Sequence, residues 1–253
     1  MHLFKSNTIG IITGCGKGIG LASLRLFLKS NSSNFAMGIS RSETPEIAAL
    51  KNEYAGRLAF LCSDICSHDN VNSWMSNIIS QVGYPDFAIC NAGMRSRLKI
   101  HAATLEDYRK VLETNTISQI NIVKHLSHLK KDIAKPLKIL AVSSIVGARG
   151  FDELSTYGVS KSALEGFVKS AAIELAPDNI QINCINPGFV RSSYSEAFKN
   201  DKYDLYEWTL SNTPMGRWGE CDEIASLSLF LVSQLNSYMS GSTVYCDGGW
   251  TSK

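Results

Sequence analysis

Tyr157 and Lys161 stand four residues apart in a stretch, 155–176, patterned as a helix. Residues at i and i+4 share one helix face, so the phenol and the ammonium can converge on one ligand. An ammonium beside a phenol favours the phenolate, and such a pair can give a proton to a substrate oxygen or take one from it. Ser144 lies thirteen residues before Tyr157, just after the apolar run Lys138–Val142, so its hydroxyl can reach the same place from a strand end. Ser143 is its immediate rival. YxxxK alone is common on ordinary amphipathic helices, and its companions decide its meaning.

The first companion is Thr13-Gly14-Cys15-Gly16-Lys17-Gly18-Ile19-Gly20, which follows the apolar run Thr8–Thr13 and opens a helix. Glycines let the backbone turn tightly and let a pyrophosphate approach the N–H groups of a helix N-terminus. The spacing is TGxxxGxG rather than GxGxxG, and its place after the first strand reads as a dinucleotide site. The second strand ends Gly38-Ile39-Ser40-Arg41-Ser42, with no carboxylate before Glu43. An NAD site places an acid there. Arg41, the Ser40 hydroxyl and Lys17 suit a 2′-phosphate instead, so NADP(H) is expected over NAD(H).

The elements that position these groups alternate from end to end. Strand candidates are 8–13, 35–40, 58–62, 86–90, 138–143, 181–185 and 243–246, and helix candidates lie near 18–30, 43–54, 67–82, 105–131, 155–176 and 222–233. Near-continuous apolar strands separated by helices imply a parallel sheet covered on both faces. The fold class is α/β: a single doubly wound Rossmann-like domain over residues 1–253, with a seven-stranded, mostly parallel sheet and helices on both faces. No repeat, low-complexity tract or linker breaks the alternation. The long departure is 189–218, rich in Tyr, Ser and Asn, which reads as a substrate lid.

Composition narrows the function further. A formal charge of +2 on 253 residues offers no basic field for nucleic acid. No apolar run approaches a membrane span, and Met1-His2-Leu3-Phe4-Lys5 leads into a strand without a signal-peptide core, so a cytoplasmic protein is expected. The seven cysteines, without a CxxC pair, read as buried reduced thiols. His125 and His128 share a helix face but lack a partner at ligand spacing, so no metal is expected.

Taken together, these motifs resemble the short-chain dehydrogenase/reductase family. The resemblance rests on TGxxxGxG at 13–20, Asp64, Asn91-Ala92-Gly93, Asn115, Ser144, Tyr157, Lys161, Pro187-Gly188 and Asp247-Gly248-Gly249, in the family's order. It implies that Tyr157 is the general acid on reduction and, as phenolate, the base in reverse. Lys161 would stabilise that phenolate and hold the nicotinamide ribose, and Ser144, favoured over Ser143 by spacing, would donate to the oxygen on which charge develops. Asn115 would anchor a water passing protons to Lys161, or serve as a structural amide. Asn91, Ala92 and Gly93 would line the adenosine ribose, and Asp64 would meet the adenine amino group beside the backbone of Ile65. Pro187 and Gly188 lead into Val190, whose backbone would meet the carboxamide, with Ser192 where the family more often has threonine. Gly14, Gly18, Ile19 and Gly20 belong to the phosphate turn, where Cys15 would set a thiol beside the phosphates.

The resemblance implies an NADPH-dependent reductase of a small-molecule ketone, or the matching dehydrogenase. A 3-oxoacyl carrier-protein substrate, a sugar or polyol, and a cofactor-binding regulator without turnover are the alternatives. His128 and Ile173 stand where carrier-docking arginines would be. For the substrate side, Val146, Phe189, Tyr194, Tyr203, Tyr206 and Trp208 offer a wall, while Arg95 and Arg149 either meet a negative charge on the substrate or face solvent. Apolar residues such as Leu112, Ile122, Val123, Leu126, Leu164, Phe167 and Val168 exceed one stripe on the two long central helices. The resemblance implies that these helices pair across a two-fold axis and that the last strand helps make a tetramer, so a homotetramer is expected, with a dimer as the fallback.

Overall fold

The strands are apolar along their whole length because each is covered on both faces. The computed structural model describes residues 3–130, 133–192, 198 and 203–253. In it β1 (Ile9–Thr13), β2 (Phe35–Ser40), β3 (Leu58–Cys62), β4 (Phe87–Cys90), β5 (Leu137–Val142), β6 (Ile180–Pro187) and β9 (Thr243–Cys246) form one sheet. Its order is β3-β2-β1-β4-β5-β6-β9, and every pairing is parallel. Successive residues point to opposite faces. Ile11 therefore joins a core with Met75 on α3 (His68–Val82), Ile122 on α5 (Ser118–Leu129) and Leu164 on α6 (Ser155–Leu175). Its neighbour Ile12 joins the opposite core with Phe27 on α1 (Gly18–Ser30), Ile47 on α2 (Pro45–Glu53) and Ile224 on the helix Cys221–Leu231. Phe27 is fully buried and packs edge-on against Phe4 and Phe87 at 5.1 and 4.8 Å. Truncating a phenylalanine in such a setting costs about 3–5 kcal/mol.

Two helices begin where their caps say they should. Thr44 accepts from the N–H of Ile47 with Pro45 just inside the start of α2. Thr104 and Asp107 form a reciprocal capping box for α4 (Leu105–Leu112). The single long helix expected over 105–131 is instead interrupted: a π turn, Glu113–Ile117, separates α4 from α5 and carries Asn115. Inserted π turns are frequent at functional sites.

The described parts of the 189–218 segment carry secondary structure that its composition does not announce. Val190–Arg191 (β7) pairs in parallel with Gly219–Glu220 (β8), which brings the two ends of the segment together. A ten-residue helix, α7 (Tyr203–Asn212), lies between them and is followed by α8 (Cys221–Leu231). Of the seven cysteines, all free, Cys15, Cys90 and Cys184 are buried, but Cys62 is exposed at the end of the edge strand β3. None of the described helices is long and apolar enough to cross a membrane.

Candidate active site

β1 has β2 on one side and β4 on the other, so the chain leaves it in opposite directions and a crevice opens at the strands' carboxyl ends. A cavity of about 430 Å³ fills that crevice, lined by Gly14, Lys17, Gly18 and Ile19 of the turn. Gly20 lies behind the turn. A Cβ there would sit 2.3 Å from the Gly14 carbonyl oxygen, so only glycine lets α1 start this close to the strand. Cys15 departs from expectation. Its side chain is buried, bonded through Sγ to the Ile39 carbonyl, and burial pushes the thiol up to about 12. It is packed under the turn rather than set beside a phosphate.

The turn is tied to the next strand end by Thr13. Its Oγ1 accepts from the N–H groups of Asn91 and Ala92, both at 3.0 Å, and the Asn91 amide donates back to the carbonyls of Thr13 and Gly14. Asn91, Ala92 and Gly93 thereby reach the cavity wall, with Ser40 and Arg41 from β2 and Asp64 and Ile65 after β3. The Asp64 carboxylate accepts from the Cys66 N–H at 2.9 Å, which holds it at the rim. Pro187, Gly188, Val190 and Ser192 line the opposite side.

Tyr157 and Lys161 rise from α6 into the same cavity, the Lys161 ammonium 5.7 Å from the centre of the tyrosine ring. Lys161 is 3% exposed, and its Nζ donates to the Val142 carbonyl at 2.7 Å, which steers a flexible side chain to one place. The two serines divide their roles. The Ser143 hydroxyl is buried and engaged with the Lys161 carbonyl and with Glu165, whose carboxylate also accepts from the Asn186 amide at 2.9 Å. Ser144 caps the short helical turn Ile145–Gly147: its Oγ accepts from the Val146 N–H at 3.3 Å, leaving its own O–H to donate elsewhere. Asn115 is fully buried outside the cavity lining. Its side chain accepts from the Met94 N–H at 2.7 Å and donates to the Met94 carbonyl and Ser160 Oγ, both at 2.9 Å. That arrangement matches the structural amide, which clamps the turn after β4 to the π turn.

On the substrate side Val146, Phe189 and Arg95 line the cavity. Arg149 does not: it is exposed and donates to the carbonyls of Thr251 and Lys253. Tyr206 packs against Trp218, with ring centres 5.1 Å apart, behind the lining. Tyr194 and the side chain of Tyr203 lie outside the described residues. Other groups went unread in the sequence. Phe151, Leu154 and Arg97 line the cavity, and Trp250 completes an aromatic wall, 5.0 Å from Phe189, 5.3 Å from Trp208 and 5.9 Å from Phe151. Trp250 was legible only through the sheet order, which sets β9 beside β6. Among the described residues no three His, Cys, Asp or Glu side chains cluster as metal ligands.

This site fits a dinucleotide. The first N–H groups of α1 have no side-chain cap, and a Cβ placed on Gly18 would meet nothing nearer than Ser192 at 3.9 Å, so the turn's surface is open to a phosphate. An uncapped glycine turn at the switch point, facing a Tyr–Lys–Ser group, defines an α/β oxidoreductase of the nicotinamide-dependent class. The comparisons agree. Residues 14–251 match a family model described as enoyl-(acyl carrier protein) reductase. A 3-oxoacyl-[acyl-carrier-protein] reductase of Chlamydia trachomatis is 30% identical over 245 residues, covering 96% of this chain and 97% of the relative. A 2-dehydro-3-deoxy-D-gluconate 5-dehydrogenase of Formosa agariphila is 26% identical, covering 98% and 90%. The crystal structure of L-sorbose reductase from Gluconobacter frateurii, complexed with NADPH and L-sorbose, superposes with a TM-score of 0.88 at 25% identity over 100% of both chains. The chain belongs to the short-chain dehydrogenase/reductase family, whose members act on CH–OH and keto groups with a nicotinamide cofactor.

Proposed function

We propose that this chain reduces the carbonyl of a small ketone to a secondary alcohol, or runs the reverse, with NADPH preferred over NADH and Tyr157 as the proton donor. The observation that carries the reading is the convergence of Tyr157, Lys161 and Ser144 on the cavity that also holds the glycine turn. When bound, the cofactor supplies the hydride. Tyr157 gives its phenolic proton to the carbonyl oxygen, and Lys161, fixed by Val142, stabilises the phenolate left behind. Ser144, accepting from Val146, directs its O–H at the same oxygen as charge develops there. Asn115 acts one step back, holding Met94 and with it the wall beside Gly93. The 189–218 segment serves as the lid that excludes water.

NADPH preference follows from Arg41, Ser40 and Lys17 at one end of the cavity and from the lack of an acid before Glu43 after β2. A charged hydrogen bond contributes about 1.5–3 kcal/mol when sheltered and less at an exposed site, so about tenfold per cation is expected here. Arg41→Ala should lower kcat/KM for NADPH about tenfold more than for NADH, and Arg41→Asp should tend to reverse the preference. A wild-type enzyme that favours NADH would refute this part of the reading. The relatives at 30% identity favour a second reading, a carrier-bound 3-oxoacyl substrate. Against it, Ile173 is an 81% exposed apolar residue and His128 is exposed, where docking arginines would stand. A cytoplasmic homotetramer completes the proposal.

A further inference from the structure

The cavity is lined by more cations than acids. Lys17, Arg41, Arg95, Arg97 and Lys161 are cations, and Asp64 is the single acid among the described lining residues. Lys17 and Arg41 belong to the elements proposed for the cofactor and Lys161 stands beside Tyr157, which leaves Arg95 and Arg97 to face the substrate. Arg97 is the residue there with unused capacity. Its side chain is 23% exposed, and of the five N–H donors of a guanidinium it engages one, Nη1 to Glu153 Oε2 at 3.2 Å; its Nε is buried without a partner. The Phe198 ring lies beneath it, 6.0 Å from the guanidinium carbon.

Glu153 holds this arginine through an unusual backbone. It sits at φ +63, a left-handed conformation that a glutamate rarely adopts. It is kept there by the N–H of Leu98, which donates to its carbonyl at 2.8 Å, and by Lys99, which pairs with Asp152 at 2.6 Å and approaches Glu153 at 3.8 Å. Strain of this kind persists where surroundings over-determine it, and it clusters at ligand clamps.

We propose that Arg97, presented by Glu153, is the specificity-determining residue for a ketone that also carries a carboxylate, which takes the unengaged edge of the guanidinium while the carbonyl faces Tyr157. This rests on the reductase reading above and narrows its substrate to oxo acids and the matching hydroxy acids. The experiment pairs aliphatic oxo acids of increasing length with their neutral primary amides, assayed with NADPH on the full chain. Wild type should favour the acids. In Arg97→Ala the acid-to-amide ratio of kcat/KM should fall about ten- to a hundredfold, the scale of one or two charged hydrogen bonds, mainly through KM. Arg97→Lys should recover part of it, Glu153→Gln should shift the ratio less and in the same direction, and the exposed Arg109→Ala should leave it unchanged. A second readout needs no turnover: glutarate should quench the fluorescence of Trp208 and Trp218, which line the cavity, and fail to do so in Arg97→Ala. An acid-to-amide ratio near one in wild type, or the same ratio in Arg97→Ala, overturns the inference with the reductase reading intact. No turnover of any pair, with glutarate quenching lost in Arg97→Ala, supports the carboxylate site and sinks the reductase reading. No turnover and no glutarate binding in wild type overturns the inference.

Discussion

Thr13→Val tests how the cavity is built. The substitution keeps the shape of a fully buried side chain and removes one oxygen, the acceptor for the N–H groups of Asn91 and Ala92 at 3.0 Å. Valine leaves both donors without that partner beneath the cavity wall. An orphaned buried N–H costs about 1–3 kcal/mol, so two of them, after partial relaxation, should cost about 2–4 kcal/mol. For a chain of this length about 2–4 °C is lost per kcal/mol, which predicts a fall in Tm of about 5–15 °C. The same two donors fix the Asn91–Gly93 wall, so NADPH affinity should fall as well. Thr13→Ser retains the oxygen and loses a methyl group, a change of about 1 kcal/mol. Thermal melts followed by circular dichroism, with a fluorescence titration of NADPH, compare the three proteins. If Thr13→Val melted within about 2 °C of Thr13→Ser and bound NADPH equally well, the brace would have no energetic content and the reasoning would fail.

Two further predictions come from other parts of the chain. Cys15, Cys90 and Cys184 are buried, and burial pushes each thiol up to about 12, so at pH 8 iodoacetamide should label Cys62 first; mass spectrometry showing Cys15 alkylated ahead of Cys62 in the native protein would contradict the placement of that thiol. Val159 and Ile173 on α6 are 51% and 81% exposed, an apolar surface that a second copy would cover, so light scattering at micromolar concentration should give a tetramer and a monomeric mass would refute the assembly.

The sheet was legible because a parallel strand covered on both faces has to be apolar throughout, and seven such runs stand out between helices. Tyr157 and Lys161 were legible because helical spacing alone brings them together. The misplaced residues lie where no periodicity operates. Arg149 and Arg97 both stand at loop positions beyond strand ends: Arg97 lines the cavity and pairs with Glu153, whose left-handed backbone its residue type does not announce, whereas Arg149 is turned onto the carbonyls of Thr251 and Lys253. Cys15 sits in a glycine turn without a pleat to set its direction, and the contact with the Ile39 carbonyl turns it inward. Asn115 was read in an unbroken helix. The π turn around it redirects the amide to Met94 and Ser160 and away from the cavity. The helix α7 was hidden by a composition rich in Tyr and Asn, which indicates a loop more readily than a helix.

The central claim is that Tyr157 moves the proton. Tyr157→Phe keeps the ring in place over Lys161 and removes the one atom that the reaction needs, so a single preparation separates binding from chemistry. The measurement is kcat for a ketone that the wild type reduces, followed at the nicotinamide absorbance, alongside NADPH affinity by fluorescence. The expected result is an NADPH Kd within a few-fold of wild type and a kcat lower by about 10²–10⁴, the share that a positioned general acid supplies. A Phe variant that retained most of its turnover while binding NADPH normally would contradict the account.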